Sequence, residues 1–503
     1  MLSNTQQKAT LIATIMASSM AFIDSTALNV ALPALQSDLD MKGSSLLWVI
    51  NSYALFLSAL LLTGGSLGDR YGRKKVFIGG IILFSIASVL CGLSTSSTML
   101  ILSRSLQGIG GALMVPGSLS IISALFPKEE RGKAIGTWSM FSAMTTVFGP
   151  ALGGWLAGMG LWRLVFFINI PLAVIALFFL RKVPESRDVH AYKSDNLGAL
   201  FATLALACLT YGFIEAPNYG FNTPRIFVSL LAGFLLLIVF VLREKKASSP
   251  MMSLSLFRSK TFSSTNTITL FIYAALGGFL FFFPLNLIQV QGYPAEIAGL
   301  VMLPFGLLIA FLSRWSGHLA DKIGARTPLI IGSMVTAIGF YLFSIPGITA
   351  GPSDFWETFF PAILTIGIGM GLTVAPLTTA VMNAVPQDKT GSASGINNTI
   401  ARTAGVLAIA IMGAFGVITF KSSFQENTAQ LELSGPLQKQ LNEEIPKLAE
   451  ARPPEGTTKE EKQIINSAVK LSFIETFRQS ALIACILAGL SVFTAYYFIP
   501  KKR

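Results

Sequence analysis

Asp24 is an acid set deep in an apolar run, residues 10–32, that is long enough to cross a bilayer. It lies about eight residues from the outer end of that run, so roughly 12 Å deep at 1.5 Å per residue. An ionised carboxyl is costly there, and intramembrane acids face a cavity or mark a proton path. Burial raises a carboxyl's affinity for a proton and a neighbouring cation lowers it, so such a group can load and release protons as its access alternates. The plainer alternative is an Asp held by Ser25, Thr26 or Asn29 for packing alone. Arg104 sits at a similar depth, about six residues into the run 99–124. Its guanidinium is always charged and must find carbonyls, a carboxylate or water. Two readings stay open: a partner exchanged with Asp24 as the proton comes and goes, or a structural tie to backbone carbonyls.

Two glycine motifs suggest movement rather than binding. The first is Gly65-Ser66-Leu67-Gly68-Asp69-Arg70-Tyr71-Gly72-Arg73-Lys74. Gly65 and Gly68 are expected to let a neighbouring helix approach closely. Asp69 can meet a helix N-terminus or Arg73, forming a latch that breaks when two halves rock apart. Arg70, Lys74 and Lys75 also serve as topology anchors. The second motif is Gly149-Pro150-Ala151-Leu152-Gly153-Gly154, which puts small residues beside a proline on one helix face. That pattern permits a bend and tight contact, as a hinge or as packing alone.

Substrate-lining residues are harder to name. The run 263–289 is aromatic-rich, and Phe279 and Phe282 are candidates for a lipophilic pocket, where ring faces also attract cations. Asn29, Gln107, Asn398 and Arg402 are polar candidates; Asn397 stands beside Asn398 in the run 393–420, and Arg314 ends the run 296–317. Glu475 and Arg478 have the spacing of a local ion pair, and Glu215 reads as an interface residue. Nothing resembles a catalytic centre. The two histidines, His190 and His318, are far apart, and no metal-ligand spacing, nucleotide-binding loop or carboxylate pair occurs, so neither enzyme nor ATPase chemistry is expected. Cys91, Cys208 and Cys485 lie within apolar runs and read as small buried side chains.

The elements that must position these residues are membrane helices. Only 12% of the 503 residues are charged, about half the ordinary soluble share, and mean hydropathy is +0.64. Fourteen apolar runs follow, near 10–32, 46–66, 76–95, 99–124, 134–158, 162–181, 196–216, 225–243, 263–289, 296–317, 328–346, 356–383, 393–420 and 471–498. With the N-terminus inside, the short inner segments hold 23 basic residues and the short outer loops three: Lys42, Arg163 and Arg225. That asymmetry places both termini in the cytoplasm. It also accounts for the net charge of +12 as topology, with no nucleic-acid surface. The polar stretch 421–470 falls outside, and Leu437, Leu441, Ile445 and Leu448 recur at helical spacing before the break at Pro453-Pro454. An extracellular helical hairpin is expected there.

The loop motif has a second copy, Gly317-His318-Leu319-Ala320-Asp321-Lys322-Ile323-Gly324-Ala325-Arg326, 252 residues on. Pro127-Lys128-Glu129-Glu130-Arg131-Gly132 likewise returns as Pro386-Gln387-Asp388-Lys389-Thr390-Gly391, 259 residues on. Gly317, Asp321 and Gly324 therefore join the latch candidates. One duplication yields two six-helix halves, 1–181 and 263–503, around a central pair of helices in 182–262.

This order of motifs resembles the major facilitator superfamily, and within it the fourteen-span drug:proton antiporters. The residues that carry the resemblance are the loop motif 65–75, Asp24 to Pro33, Arg104 to Ala112, and Gly149 to Gly154. It implies an all-α integral membrane protein that exports amphiphilic small molecules against a proton gradient by alternating access. It implies no cofactor, a role for Asp24 and Arg104 in proton coupling, and an antiporter role for Gly149, Pro150, Gly153 and Gly154. Partners would be the small molecule, protons and the bilayer, in a monomer of the bacterial cytoplasmic membrane; an envelope adaptor on the hairpin is a further option. Exporters of multivalent cations in that family carry further acids on spans ten and thirteen, whereas this chain has Asn397, Asn398 and Arg402. Neutral, zwitterionic or anionic cargo fits better, and export of an endogenous lipid-like or anionic metabolite is the alternative. A membrane sensor that does not transport would look the same in sequence.

Overall fold

The computed structural model describes residues 4–187, 195–247, 250, 252, 254–385, 390–431 and 435–501. Of the residues singled out above, His190 and the motif positions 386–389 lie outside the described residues, as do the side chains of Lys128, Glu129, Glu130, Arg131, Arg314, Asp321 and Thr390. In hydrocarbon every backbone N–H and C=O must be satisfied within its own segment, so long apolar runs become helices. They do so as α1 (Asn4–Asp38), α2 (Gly43–Tyr71), α3 (Arg73–Gly92), α4 (Ser97–Leu125) and α5 (Lys128–Gly158). Next come α6 (Leu164–Leu180), α7 (Asn196–Tyr219), α8 (Pro224–Lys246) and α9 (Lys260–Leu285). The chain continues with α10 (295–323), α11 (Arg326–Phe343), α12 (Phe359–Asn383), α13 (Thr390–Asn427) and α14 (Lys459–Phe498). Among the described residues 12 helices are long and apolar enough to cross a membrane; α5 and the shorter α6 occupy the other two runs. The protein is a multi-pass membrane protein, and no strand occurs among its described residues.

Local chemistry fixes the ends. The Ser96 and Ser259 hydroxyls accept from the amides of Met99 and Phe262, and Thr458 forms a reciprocal capping box with Glu461. Gly72 and Gly324 end α2 and α10 at φ +111° and +86°, a region that L side chains rarely adopt. They are equivalent positions in the two motif copies.

The duplication extends beyond the motifs. The offset of 252 carries Gly80 to Gly332, and that of 259 carries Gly110 to Gly369. In both halves the two glycines face each other. A Cβ on Gly80 would come within 3.0 Å of the Gly110 carbonyl oxygen, and one on Gly332 within 2.9 Å of that of Gly369. So α3 and α4 cross by the same close contact as α11 and α12. The central pair stands outside this symmetry: α7 packs on α2 and α13, while α8 leaves much of its apolar surface exposed.

Two expectations need correction. Gly65 and Gly68 do not mediate a tight crossing, since a Cβ there would meet its nearest neighbours at 3.7 and 3.8 Å. Gly64 does, with the Ala112 carbonyl oxygen only 2.0 Å from where its Cβ would be. The apolar run 162–181 is one helix only in outline, because it breaks between Phe167 and Asn169. Over the polar stretch 421–470, where a helical hairpin was expected, α13 runs out to Asn427 and α14 starts at Lys459. Between them lie the helix Gly435–Glu444 and a tighter turn, Ile445–Glu450, whose Leu441, Ile445 and Leu448 are buried.

Candidate functional site

Asp24 on α1 and Arg104 on α4 are both buried, at 0% and 1% exposure, and they meet. Arg104 Nη1 donates to Asp24 Oδ2 and, at 2.6 Å, to Gln107 Oε1; its Nε donates to the Val49 carbonyl at 3.2 Å. Gln107 Nε2 donates to Asp24 Oδ1 at 2.8 Å and to Ser88 Oγ at 2.9 Å. Asn169 Nδ2 also reaches Ser88 Oγ, at 3.2 Å, which draws α6 into the cluster. The Tyr53 ring lies against the guanidinium, 4.2 Å from its carbon to the ring centroid. Both carboxylate oxygens are thus satisfied, which a buried charge pair requires. The alternative of Asp24 bonded only to Ser25, Thr26 or Asn29 is not what the structure shows: Ser25 and Thr26 donate to backbone carbonyls of their own helix.

Spacing explains how five helices assemble this cluster. Arg104 and Gln107 are three apart on α4, hence on one face. Close approach of the backbones brings that face to its neighbours, because a Cβ on Gly108 would stand 2.4 Å from the Tyr53 carbonyl oxygen. Tyr53, Ser88 and Asn169 were not anticipated. The available signal was a polar residue inside each of three apolar runs.

The other candidates distribute differently. Phe279 and Phe282 are 1% exposed and lie inside an aromatic interior, where Phe279 packs against Phe283, Phe340, Phe343 and Phe477. Their rings present no open lipophilic wall in this conformation. Asn397 bonds Asn266 and Thr269 across α13 and α9, at 3.0 and 2.7 Å. Asn398 is exposed and Asn29 half-buried. Arg402 is half-buried and, among the described residues, has neither an ion pair nor a hydrogen bond.

The motif 65–75 lies at the end of the bundle that carries the chain termini. Asp69 pairs with Arg73 at 2.8 Å. The helix N-terminus goes to Glu185 instead, a residue the sequence did not flag: its carboxylate accepts from the amides of Lys74 and Lys75 at the start of α3. Arg70 is exposed and rests on Tyr71, and Gly317 has only ordinary contact distance to Ala375.

The motif 149–154 joins the halves near the opposite end. Cβ atoms on Gly149 and Gly153 would strike Thr26 Oγ1 and the Ala27 carbonyl oxygen of α1, at 1.9 and 2.1 Å. One on Gly154 would strike the Ala295 carbonyl oxygen of α10 at 2.2 Å. Pro150 turns its own carbonyl towards Gly299. Above this seam sits the turn 445–450, which touches both halves. Gln36 of α1 donates to the Lys447 carbonyl at 2.8 Å and accepts from Gln289 Nε2 at 2.9 Å. Lys447 Nζ reaches Asp40 at 2.7 Å and Glu444 at 3.0 Å. The hydrogen bond and charge of Lys447 hold the Asp40 carboxyl below its ordinary 3.8, and the bond to Asp40 holds Lys447 above its ordinary 10.5. At this end Trp48 and Asn218 donate to Glu215, tying α7 to α2, and Glu475 pairs with Arg478 as expected.

Comparison with known proteins agrees with this architecture. The sequence profile of the Major Facilitator Superfamily matches residues 14–410. Multidrug resistance protein Stp of Mycobacterium tuberculosis is 32% identical over 449 residues, covering 88% of this chain and 82% of the relative. The tetracenomycin C resistance and export protein of Streptomyces glaucescens is 31% identical over 497 residues, covering 96% and 91%. Among solved structures, an inward-facing bacterial homologue of the human lysosomal transporter Spinster aligns with a TM-score of 0.68 at 18% identity, covering 99% and 98%.

Proposed function

The chain belongs to the Major Facilitator Superfamily, a transporter and not an enzyme, and from that premise we propose that it is a proton-coupled antiporter exporting amphiphilic small molecules. The observation that carries this reading is the buried Asp24–Arg104–Gln107 cluster. It is a carboxylate that can take up one proton, held by a cation that has other partners within reach.

The physical sequence follows from the contacts. With Asp24 ionised, Arg104 and Gln107 hold α1 to α4 through both carboxylate oxygens. A proton on Asp24 cancels the charge, and Arg104 keeps the Val49 carbonyl, Gln107 and the Tyr53 ring. The tie between α1 and α4 weakens. Because α1 also carries the Gly149 and Gly153 contacts to α5, and α5 the Gly154 contact to α10, a shift of α1 is felt at the seam between halves. Substrate binding and deprotonation would restore the first state from the other side. The Asp69–Arg73 pair and the Glu185 cap would be remade each cycle at the opposite end.

This reading includes fourteen crossings with both termini in the cytoplasm, since basic residues crowd the terminal-bearing end. It places the protein in a bacterial cytoplasmic membrane as a monomer. The names of the relatives support drugs and antibiotics as cargo. Export of an endogenous anionic or lipid-like metabolite is the second reading, favoured by Arg402, which has no ion pair among the described residues. Purified protein in liposomes tests the proposal. An imposed pH gradient should drive amphiphile uptake in inside-out vesicles and collapse with it. Saturable binding without flux would leave a sensor.

A further inference from the structure

We propose that Arg402, with the hydroxyls of Tyr53 and Tyr273, forms the recognition site for an acidic group on the exported amphiphile, a carboxylate in the simplest case. This rests on the transport reading and names the chemistry of its cargo. Arg402 lies on α13 within a turn of Gly405 and Val406. A Cβ on Gly277 of α9 would approach Gly405 Cα to 2.8 Å, and Val406 packs with Leu55 and Ala59 of α2. Arg402 therefore occupies the seam where α13 meets both α2 of the first half and α9 of the second. Tyr273 is one turn from Gly277 on the same face of α9.

Three observations converge there. First, Arg402 is a half-buried guanidinium with no ion pair and no hydrogen bond among the described residues. Second, Tyr53 is 3% exposed and its hydroxyl is buried without a hydrogen-bond partner. Third, the contacts of Asn397 with Asn266 and Thr269, of Gly405 with Gly277, and of Gly395 and Gly413 with Leu62 and Leu47 bring Arg402 to the level of Tyr273 on α9 and within about a turn of the level of Tyr53 on α2. An orphaned hydroxyl beside an unneutralised cation is a costly arrangement that an anion would satisfy. The guanidinium offers a planar fork to a carboxylate, and the phenols add donors.

No acid of the surrounding helices supplies that anion. On α2 the one acid is Asp69, paired with Arg73 at the far end. On α7 it is Glu215, which accepts from Trp48 and Asn218. On α13 it is Glu426, in the last turn of the helix. On α14 Glu475 is paired with Arg478, and Glu460 and Glu461 lie in the first turn; α9 and α12 have none. Asp24 is held by Arg104 and Gln107. The Tyr53 ring covers that same Arg104, so one side chain borders both the proton site and the proposed cargo site.

The test measures equilibrium binding of a fluorescent naphthalene carboxylate amphiphile and of its methyl ester to purified full-length protein. The acid should bind at least tenfold more tightly than the ester. Arg402→Gln should abolish that preference, and ester binding that persists in the variant shows that it is folded. Arg402→Lys should keep part of it, and Tyr53→Phe should reduce it severalfold. Equal binding of acid and ester to the wild type, or a preference that survives Arg402→Gln, overturns the proposal. The coupling reading fails separately: acid binding that depends on Arg402, with no proton counterflow in liposomes, refutes antiport and leaves the site standing.

Discussion

The two halves share one helix geometry and fill it with opposite chemistry. The offsets that superimpose the glycine crossings carry Ser88 to Phe340, Cys91 to Phe343, Arg104 to Ile363 and Gln107 to Ile366. In the first half these positions build a charge-bearing hydrogen-bond cluster. In the second they are wholly apolar: Phe340 and Phe343 pack on Phe279, and Ile363 and Ile366 border the same cluster around a void of about 10 Å³. Fully satisfied buried polar groups can be switched by one proton, whereas packed rings have no such second state. On the proposed mechanism this is a division of labour: the first half would hold the element that changes, and the second would be the body against which the change acts.

The largest expected effect comes from breaking the charged half. Arg104→Gln leaves the Asp24 carboxylate buried without its cation and should cost about 3–5 kcal/mol of stability, read from thermal or denaturant unfolding. Adding Asp24→Asn should recover most of that cost without restoring proton-driven transport. Full recovery of transport would contradict the assigned roles. In the aromatic half, Phe279→Ala should also cost about 3–5 kcal/mol, here from the cavity left among four rings. Transport per folded molecule should keep its dependence on the pH gradient, and loss of that dependence would erase the contrast between halves.

A smaller effect is expected at the seam. Gly153→Ala places a methyl 2.1 Å from the Ala27 carbonyl oxygen and should cost about 1–3 kcal/mol through overpacking. Gly65→Ala, with its nearest neighbour at 3.7 Å, should be tolerated in the same unfolding measurement. The smallest effect belongs to the turn 445–450. The Asp40 carboxyl is held below 3.8, so its contribution is present above that value and fades only as pH falls through the lowered one. Lys447 is held above 10.5, so its contribution is present below that value and fades only as pH rises through the raised one. Hydrogen exchange of 435–450, corrected for its intrinsic rate, should stay flat between pH 5 and 9, roughly the window bounded by these groups. Lys447→Ala should raise it by an amount corresponding to less than about 1 kcal/mol, as for an exposed pair. A marked change near neutral pH would make this closure a second proton sensor.

How much of this was legible in the sequence depends on the kind of signal. Charges in hydrocarbon are costly, so Asp24 and Arg104 stood out against their runs, and the structure brings them together. Duplicated motifs revealed the two halves for the same reason: spacing survives in sequence. Neutral polar partners such as Ser88, Asn169 and Tyr53 carry no comparable penalty and did not stand out. Glycines were read one residue off, at Gly65 rather than Gly64, because a small residue permits contact without stating which turn is touched. Phe279 and Phe282 were candidates for a pocket by composition, but a ring's surroundings are set by tertiary packing, which here places six further phenylalanines around the two. The stretch 421–470 showed helical spacing and a proline break, but spacing does not state what its apolar residues cover; Ile445 and Leu448 are buried, and Leu448 lies against Gly43 at the end of the bundle.

Substrate-induced proton release from purified protein tests the central claim most directly. With a pH indicator in weak buffer, saturating amphiphile should release protons from the wild type. The release should vanish in Asp24→Asn while the amphiphile still binds. Undiminished release from Asp24→Asn would place the coupling proton elsewhere and contradict the account.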